Sequence, residues 1–354
     1  MKSILIIQQK MIGDVLLTSI LCEALKKRNP ENTIDYLVYT NTIPVIKENP
    51  FIDTIVEFKN EYKKNRRSFI NFLKSIRNKK YDLVIDAYGK TESNLITLCS
   101  GAPEKISYYK WYTNFIYTKT INRKPVVLTN AGNALENRLR LIFKEEEITD
   151  NIIAPKIFIT DQERTDAKEY LKSQGLLENK PLVMISVLGS TIDKTLPFEY
   201  MATIIDEFVN LTQSNILFNY IPNQVKDAQL IYDLTSDSTK KNIYFDVFGK
   251  SLREFIGILS HCDMLIGNEG GAVNMAKALN LKTFTIFSPW IRKDAWNMFE
   301  DGIQHDSVHL MDFKPEVYTN KIPKDLKDRS IELYKEFSPD FIIPRLTDYL
   351  QTSK

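Results

Sequence analysis

A chain of 354 residues, 43% hydrophobic and 26% charged, has the balance of a folded protein long enough for two ordinary domains. No apolar run approaches the roughly 18–20 residues of a membrane-spanning helix, and a formal net charge of +2 argues against a dedicated nucleic-acid binder. Three distant cysteines, Cys22, Cys99 and Cys262, exclude a disulfide framework and suit a reducing, cytoplasmic compartment.

The opening MKSILIIQQK loses its apolar character at Gln8, too early for a signal peptide, and residues 3–8 read as a buried strand. Residues 14–28 place Leu17, Ile20, Leu21, Ala24 and Leu25 on one helical face. Strands are expected at 34–39, 54–58, 82–86 and 105–108, with helices at 66–78 and 134–146. Residues 59–80 hold nine Lys or Arg against one Glu, a net of +8 that leaves −6 for the rest of the chain. Such a run suits a solvated helix face or an anionic surface such as lipid phosphates, and residue type leaves both readings open.

After a polar linker within 150–180, a second series begins. It contains a strand within 179–189, a helix at 198–212, a strand at 215–220, a helix at 224–236 and a strand at 243–247. A helix at 251–260, a strand at 263–267, a helix at 272–280 and a strand at 283–287 complete it. Strands alternating with helices predict parallel βαβ units, and two such series predict two Rossmann-like α/β domains. Ligands of open α/β sheets lie beyond the carboxyl ends of the strands, which nominates the loops 9–14, 87–93, 188–197 and 267–274.

Each of these loops also has an ordinary structural reading. Gly13-Asp14 offers either a helix cap or a general base. In LGSTIDKTLP, Ser190, Thr191 and Lys194 suit a phosphate as well as a turn. Gly270-Gly271 lets backbone N–H groups approach an anion, such as a diphosphate, at a helix N-terminus, with Glu269 suited to sugar hydroxyls or to organising the loop. His305 and His309 are four apart, but HDSVHLMDF alternates like a strand and no Cys or third His is near, so both read as structural or surface residues. No metal site is expected. The dinucleotide fingerprint, the P-loop and the serine-hydrolase elbow are missing from the sequence, which removes the main support for those classes.

Several stretches taken in order resemble glycosyltransferase family 9, the ADP-heptose:lipopolysaccharide heptosyltransferases. They are ILIIQQKMIGDVLLTSILCEALKKRNPENTIDYLV, NPFIDTIVEF, YDLVIDAYGKTESNLITLCSGAPEKISY, GKSLREFIGILSHCDMLIGNEGGAVNMAKAL and TFTIFSPW. The resemblance implies a GT-B fold, two Rossmann-like domains facing across a central cleft. Residues 1–165 are expected to bind the acceptor and 166–325 the nucleotide-sugar donor, with 326–354 a helical tail packing back across the domains. It further implies inverting transfer of a heptose or related sugar from an ADP-sugar to a hydroxyl of an anionic glycolipid, without cofactor or metal. Asp14 matches the catalytic base, and Gly13 and Lys90 fall on the acceptor side. Ser190, Thr191 and Lys194 match the group on the donor phosphates, Gly249, Lys250 and Ser251 the segment near the nucleoside, and Glu269, Gly270, Gly271 and Asn274 the donor loop. In this light residues 59–80 are expected to touch the inner leaflet of a membrane, giving a cytoplasmic, peripheral enzyme.

Two departures stand out. The family's usual Asp-Ser/Thr-Gly followed by His is here Glu269-Gly270-Gly271 and Asn274, and its Phe-Gly-Pro-Thr is Phe287-Ser288-Pro289-Trp290. A nucleotide-sugar epimerase would instead turn over donor without acceptor. A non-catalytic binding protein would hold donor, and replacing Asp14 would change no activity.

Overall fold

The computed structural model describes residues 1–178 and 180–352. Asn179, within the expected linker, and the last two residues of the expected tail lie outside the described residues. The chain divides into two compact units, Met1–Phe158 and Ile159 onward.

In the first unit the elements are β1 (Ser3–Ile7), α1 (Ile12–Thr18), α2 (Ile20–Arg28), β2 (Thr33–Tyr39) and β3 (Thr54–Phe58). They continue with α3 (Glu61–Lys64), α4 (Arg66–Asn78), β4 (Leu83–Asp86), α5 (Thr91–Ser100), β5 (Glu104–Tyr108), β6 (Lys119–Ile121) and α6 (Asn133–Leu139). The strands form one parallel sheet in the order β3-β2-β1-β4-β5-β6, with Ile4 opposite both Ile34 and Leu83. Parallel strands are covered on both faces, which is why SILII and LVID are continuous apolar runs. The sheet order reverses between β1 and β4, so the loops after these strands open on the same crevice.

The second unit opens with α7 (Asp161–Ser173), β7 (Leu182–Ser186), α8 (Phe198–Thr212), β8 (Asn215–Phe218), α9 (Val225–Leu234) and α10 (Asp237–Lys240). It goes on with α11 (Leu252–Leu259), β9 (Met264–Asn268), α12 (Gly271–Ala278), β10 (Lys282–Ile286), α13 (Lys293–Trp296), β11 (His305–Val308), α14 (Ser330–Glu336) and α15 (Pro339–Thr352). Its parallel sheet runs β11-β10-β9-β7-β8. The reversal here falls between β9 and β7 and pairs the loop carrying Lys194 with the loop carrying Glu269. The C-terminal helices bury Leu333, Phe337, Ile342, Leu346 and Tyr349 in this unit's own core. At about 1.5–3 kcal/mol for each fully buried side chain, that anchors the tail to the second unit.

Some elements differ from the expectation. The helix expected over 14–28 begins at Ile12 and breaks at Ser19, whose hydroxyl bonds back to the Leu16 carbonyl at 2.7 Å. The helix expected over 134–146 ends at Leu139, and Arg140 turns to bind Glu145 at 2.9 Å. Residues 243–247 form a single bridge to Ile216 rather than a strand, because Phe245 joins a ring cluster with Phe218, Tyr220 and Tyr232. Helices α5 and α7 and strand β6 were not legible in the pattern.

Candidate functional site

In the first unit, Gly13 and Asp14 fall in the first turn of α1, directly after the loop that leaves β1. Asp14 is paired with Arg138 of α6. Arg138 also donates to the Thr18 hydroxyl at 2.8 Å and to the Ala134 carbonyl at 2.8 Å. The guanidinium, 10% exposed, thus fixes a carboxylate that is 26% exposed. A planar donor held on three sides leaves the carboxylate little rotational freedom. Nothing local in the sequence announces Arg138, since it is 124 residues from its partner.

The loop after β4 is built on Asp86, which is fully buried. Its carboxylate accepts from the N–H groups of Tyr88 at 3.0 Å and Gly89 at 2.8 Å, and from the Tyr117 hydroxyl at 2.7 Å. Burial pushes the Asp86 carboxyl above the usual range, and the Gly89 N–H and the Tyr117 hydroxyl oppose that. Lys90 stands at the start of α5, its N–H donating to the Ser93 hydroxyl at 2.8 Å. Lys110 donates to the Gly89 carbonyl, and burial, with Lys90 and Arg123 adding, lowers the pKa of its ammonium. Burial raises the pKa of the Tyr88 phenol, and Asp14 is among the charges that add to the rise. Gln9, which follows β1, is completely buried, with neither amide atom hydrogen-bonded among the described residues.

In the second unit, Lys194 Nζ lies 3.1 Å from Glu269 Oε1. Asn268, at the end of β9, ties the two loops together: it accepts from the Leu196 N–H at 2.9 Å and donates to the Ser186 and Val187 carbonyls at 3.0 Å. Gly267 and Gly270 serve different needs. A Cβ on Gly267 would meet the Ser186 carbonyl oxygen at 2.5 Å, whereas one on Gly270, at φ +156°, would meet nothing within 4 Å. A side chain at Gly270 would meet open space where α12 begins at Gly271, and a helix N-terminus with no side-chain cap suits an anion. Ser190 and Thr191 are exposed in the neighbouring loop.

Beneath this loop is a cavity of about 40 Å³ lined by Glu269, Gly270, Asn274, Lys277, Thr285 and Trp296 among others. The buried Thr285 hydroxyl has no partner among the described residues. Lys277 donates to the Asn297 side-chain oxygen at 2.9 Å, and burial pushes its pKa down to about 8, with Glu300 and Asp301 opposing. Periodicity marks Lys277 and Thr285 only as helix and strand residues, so their convergence was not foreseen.

The two departures at Ser288 and Trp290 act on one atom. The Ser288 hydroxyl and the Trp290 indole N–H both donate to the Asp193 carbonyl, each at 2.8 Å. Lys194 and Lys327 lie over the indole at 5.3 and 4.9 Å. The loop that presents Lys194 is thereby clamped.

Gly249, Lys250 and Ser251 lead into α11, and Ser251 is its cap, accepting from the Glu254 N–H at 3.2 Å. Gly249 allows a close chain approach, since a Cβ there would lie 2.2 Å from the Phe255 nitrogen. Among the described residues no recorded hydrogen bond or ion pair joins 249–251 to the Lys194–Glu269 pair. His305 lies in β11, its Nδ1 3.0 Å from the Thr283 hydroxyl, and His309 Nδ1 accepts from the Met311 N–H at 3.0 Å.

The pattern of glycosyltransferase family 9 (heptosyltransferase) matches residues 69–301, a stretch that begins after Asp14. The chain is 31% identical over 134 residues to lipopolysaccharide heptosyltransferase 3 of Escherichia coli, a match covering 37% of this chain and 39% of that protein. It is 23% identical over 303 residues to lipopolysaccharide heptosyltransferase 1 of Campylobacter coli, covering 80% and 83% of the two chains. The E. coli ADP-heptose lps heptosyltransferase II shares the fold over the full length of both chains, with a TM-score of 0.74 at 15% identity. E. coli heptosyltransferase WaaC with ADP does so over 87% of this chain and 90% of its own, with a TM-score of 0.60 at 15% identity. The fold is thus the GT-B class expected from the sequence.

Proposed function

The chain belongs to glycosyltransferase family 9, and from that premise we propose that it is an inverting transferase. It moves a heptose or related sugar from an ADP-sugar to a hydroxyl of a lipopolysaccharide core or related surface glycan. The observation that carries the donor half is the meeting of Lys194 and Glu269 at 3.1 Å beside the open Gly270 loop. A diphosphate placed there would accept from the N–H groups at the start of α12 and from Lys194. Ser190 and Thr191 add hydroxyl donors. Glu269 and Asn274 are left to accept from and donate to sugar hydroxyls. ADP as the nucleotide is supported by the family and by the ADP held in WaaC.

In the transfer step the acceptor hydroxyl oxygen forms a bond to the anomeric carbon as the carbon–oxygen bond to the diphosphate breaks. Asp14 takes the hydroxyl proton. The nucleoside diphosphate departs with the bonding electron pair, and Lys194 and α12 stabilise its added charge. The reading assigns the base to the first unit and the donor to the second. The acceptor is an anionic glycolipid, with Gly13 and Lys90 beside the base and residues 59–80 reaching the leaflet that carries it.

Calorimetric titration with ADP, ADP-heptose, GDP, UDP and CDP tests the donor assignment. Selective binding of ADP and ADP-heptose is the expected result, and preference for another nucleotide overturns the donor. Release of ADP that depends on added acceptor separates transfer from epimerisation, which consumes donor alone. Donor binding with no turnover under any acceptor, and no change on Asp14→Ala, would identify a binding protein.

A further inference from the structure

One face of the first unit carries chemistry that sugar transfer does not use. Residues 105–135 contain five Lys or Arg and no Asp or Glu. Within that run, on the connection from β5 to β6, Trp111 and Phe115 are each 80% exposed and Tyr112 is 54% exposed. Folding has left these aromatic rings in water, although each would gain free energy on burial. Next to them, α5 turns Leu95 and Leu98 to solvent, where a surface helix ordinarily presents polar residues.

Further along, α4 buries Phe72 and Ile76 and exposes Arg66, Arg67, Lys74 and Arg77, with Ile70 among them. Of the nine cations in 59–80, Lys79 is the one that forms an ion pair among the described residues, 3.5 Å from Asp35. Helix α4 packs on α5, and α5 packs on the short turn Asn114–Ile116. The basic helix, the leucine face and the aromatic loop are therefore contiguous. Soluble monomers rarely leave such an apolar surface uncovered.

We propose that α4, α5 and residues 109–116 form one docking face for an anionic phospholipid leaflet. Trp and Tyr rings favour the boundary between headgroups and acyl chains, where an apolar body and a polar edge are both satisfied. Leu95, Leu98 and Phe115 enter the apolar side of that boundary, and the cations of α4 meet the headgroup phosphates. A polyanion such as RNA would satisfy the cations but leave the leucines in water. The face extends the contact proposed for residues 59–80 and rests on that reading, and its binding to vesicles is measured without donor or acceptor.

The test is co-sedimentation of the full chain with two kinds of vesicle, pure phosphatidylcholine and an equal mixture with phosphatidylglycerol. Binding to the mixed vesicles, weakened by added salt, is expected, together with a blue shift in the emission of Trp111. Reversing Arg66 and Arg67 to Glu should lower the partition at least 25-fold, at about fivefold for each cation lost. Trp111→Ser combined with Phe115→Ser should lower it about tenfold. Both pairs of side chains are exposed, so circular dichroism and nucleotide titration should stay as in the parent. Equal binding of the parent and the Trp111/Phe115 variant overturns the aromatic part, even if the Arg66/Arg67 variant is impaired. Binding to neither vesicle, or equal retention by duplex RNA with the aromatic variant unaffected, overturns the whole proposal.

Discussion

Replacing Arg138 by Met tests whether Asp14 is a held carboxylate or merely a helix-start residue. The Met keeps most of the packing of the arginine stem but removes the donors to Asp14, to the Thr18 hydroxyl and to the Ala134 carbonyl, which keeps its place in the helix. The bonds to Asp14 and to the Thr18 hydroxyl both have the charged guanidinium as donor, and a charge-assisted hydrogen bond contributes about 1.5–3 kcal/mol. Asp14 is 26% exposed, so water recovers part of the first. The net loss is then about 3 kcal/mol. With a urea slope of roughly 2 kcal/mol per molar, the unfolding midpoint of the first unit should fall by about 1.5 M. Far-UV circular dichroism reads the transition, and hydrogen exchange of α6 assigns it to this unit. Transfer should slow at least tenfold with donor affinity unchanged, because the proposed base has lost its orientation. A midpoint and a rate both equal to the parent's would refute the reasoning.

Lys194→Ala should weaken binding of ADP itself about tenfold to a hundredfold, by the loss of one charge-assisted contact; an unchanged dissociation constant removes Lys194 from the site. Gly270→Ala places a side chain in open space but at φ +156°, so it should cost about 1–3 kcal/mol of backbone strain. Gly267→Ala adds a clash at 2.5 Å and should be the less stable in a thermal melt; the reverse order would contradict the local geometry. Burial pushes the imidazoles of His305 and His309 from 6.5 down to about 4. The unfolded chain then binds more protons than the folded one between these values, so stability falls as pH drops from about 6.5 towards 4. The two together contribute a slope of up to about 2.7 kcal/mol per pH unit, and replacing both by Gln should remove that part of the slope in urea titrations across this range.

Both sheets were legible because parallel strands covered on two faces must be apolar throughout, as SILII and LVMIS are. Helix α7 was not, since DQERTDAKEYLKS buries only Ala167 and Leu171 and its apolar stripe is too thin to read. Of the site, the loops were legible from the rule of strand ends, whereas Arg138, Lys277 and Thr285 were not. Each is brought to its place by a crossover, and no local pattern records which distant residue a crossover delivers.

The departures from the family pattern show the same limit from the other side. Ser288 and Trp290 could be seen in the sequence as changes, and read alone they raise doubt about the donor. The structure shows both donating to the Asp193 carbonyl, with Lys194 over the indole. A small glycine and a hydroxyl have been exchanged for a hydroxyl and a ring that jointly hold the neighbouring loop. Such a pair is a reason for Lys194 to be better fixed, not for the proposed diphosphate contact to be lost. The change at Asn274 is of another kind, because that side chain lines the cavity beside Glu269 and Thr285. On the proposed reading, any difference in donor should therefore lie in the sugar at this cavity rather than in the diphosphate proposed for Lys194 and the Gly270 loop.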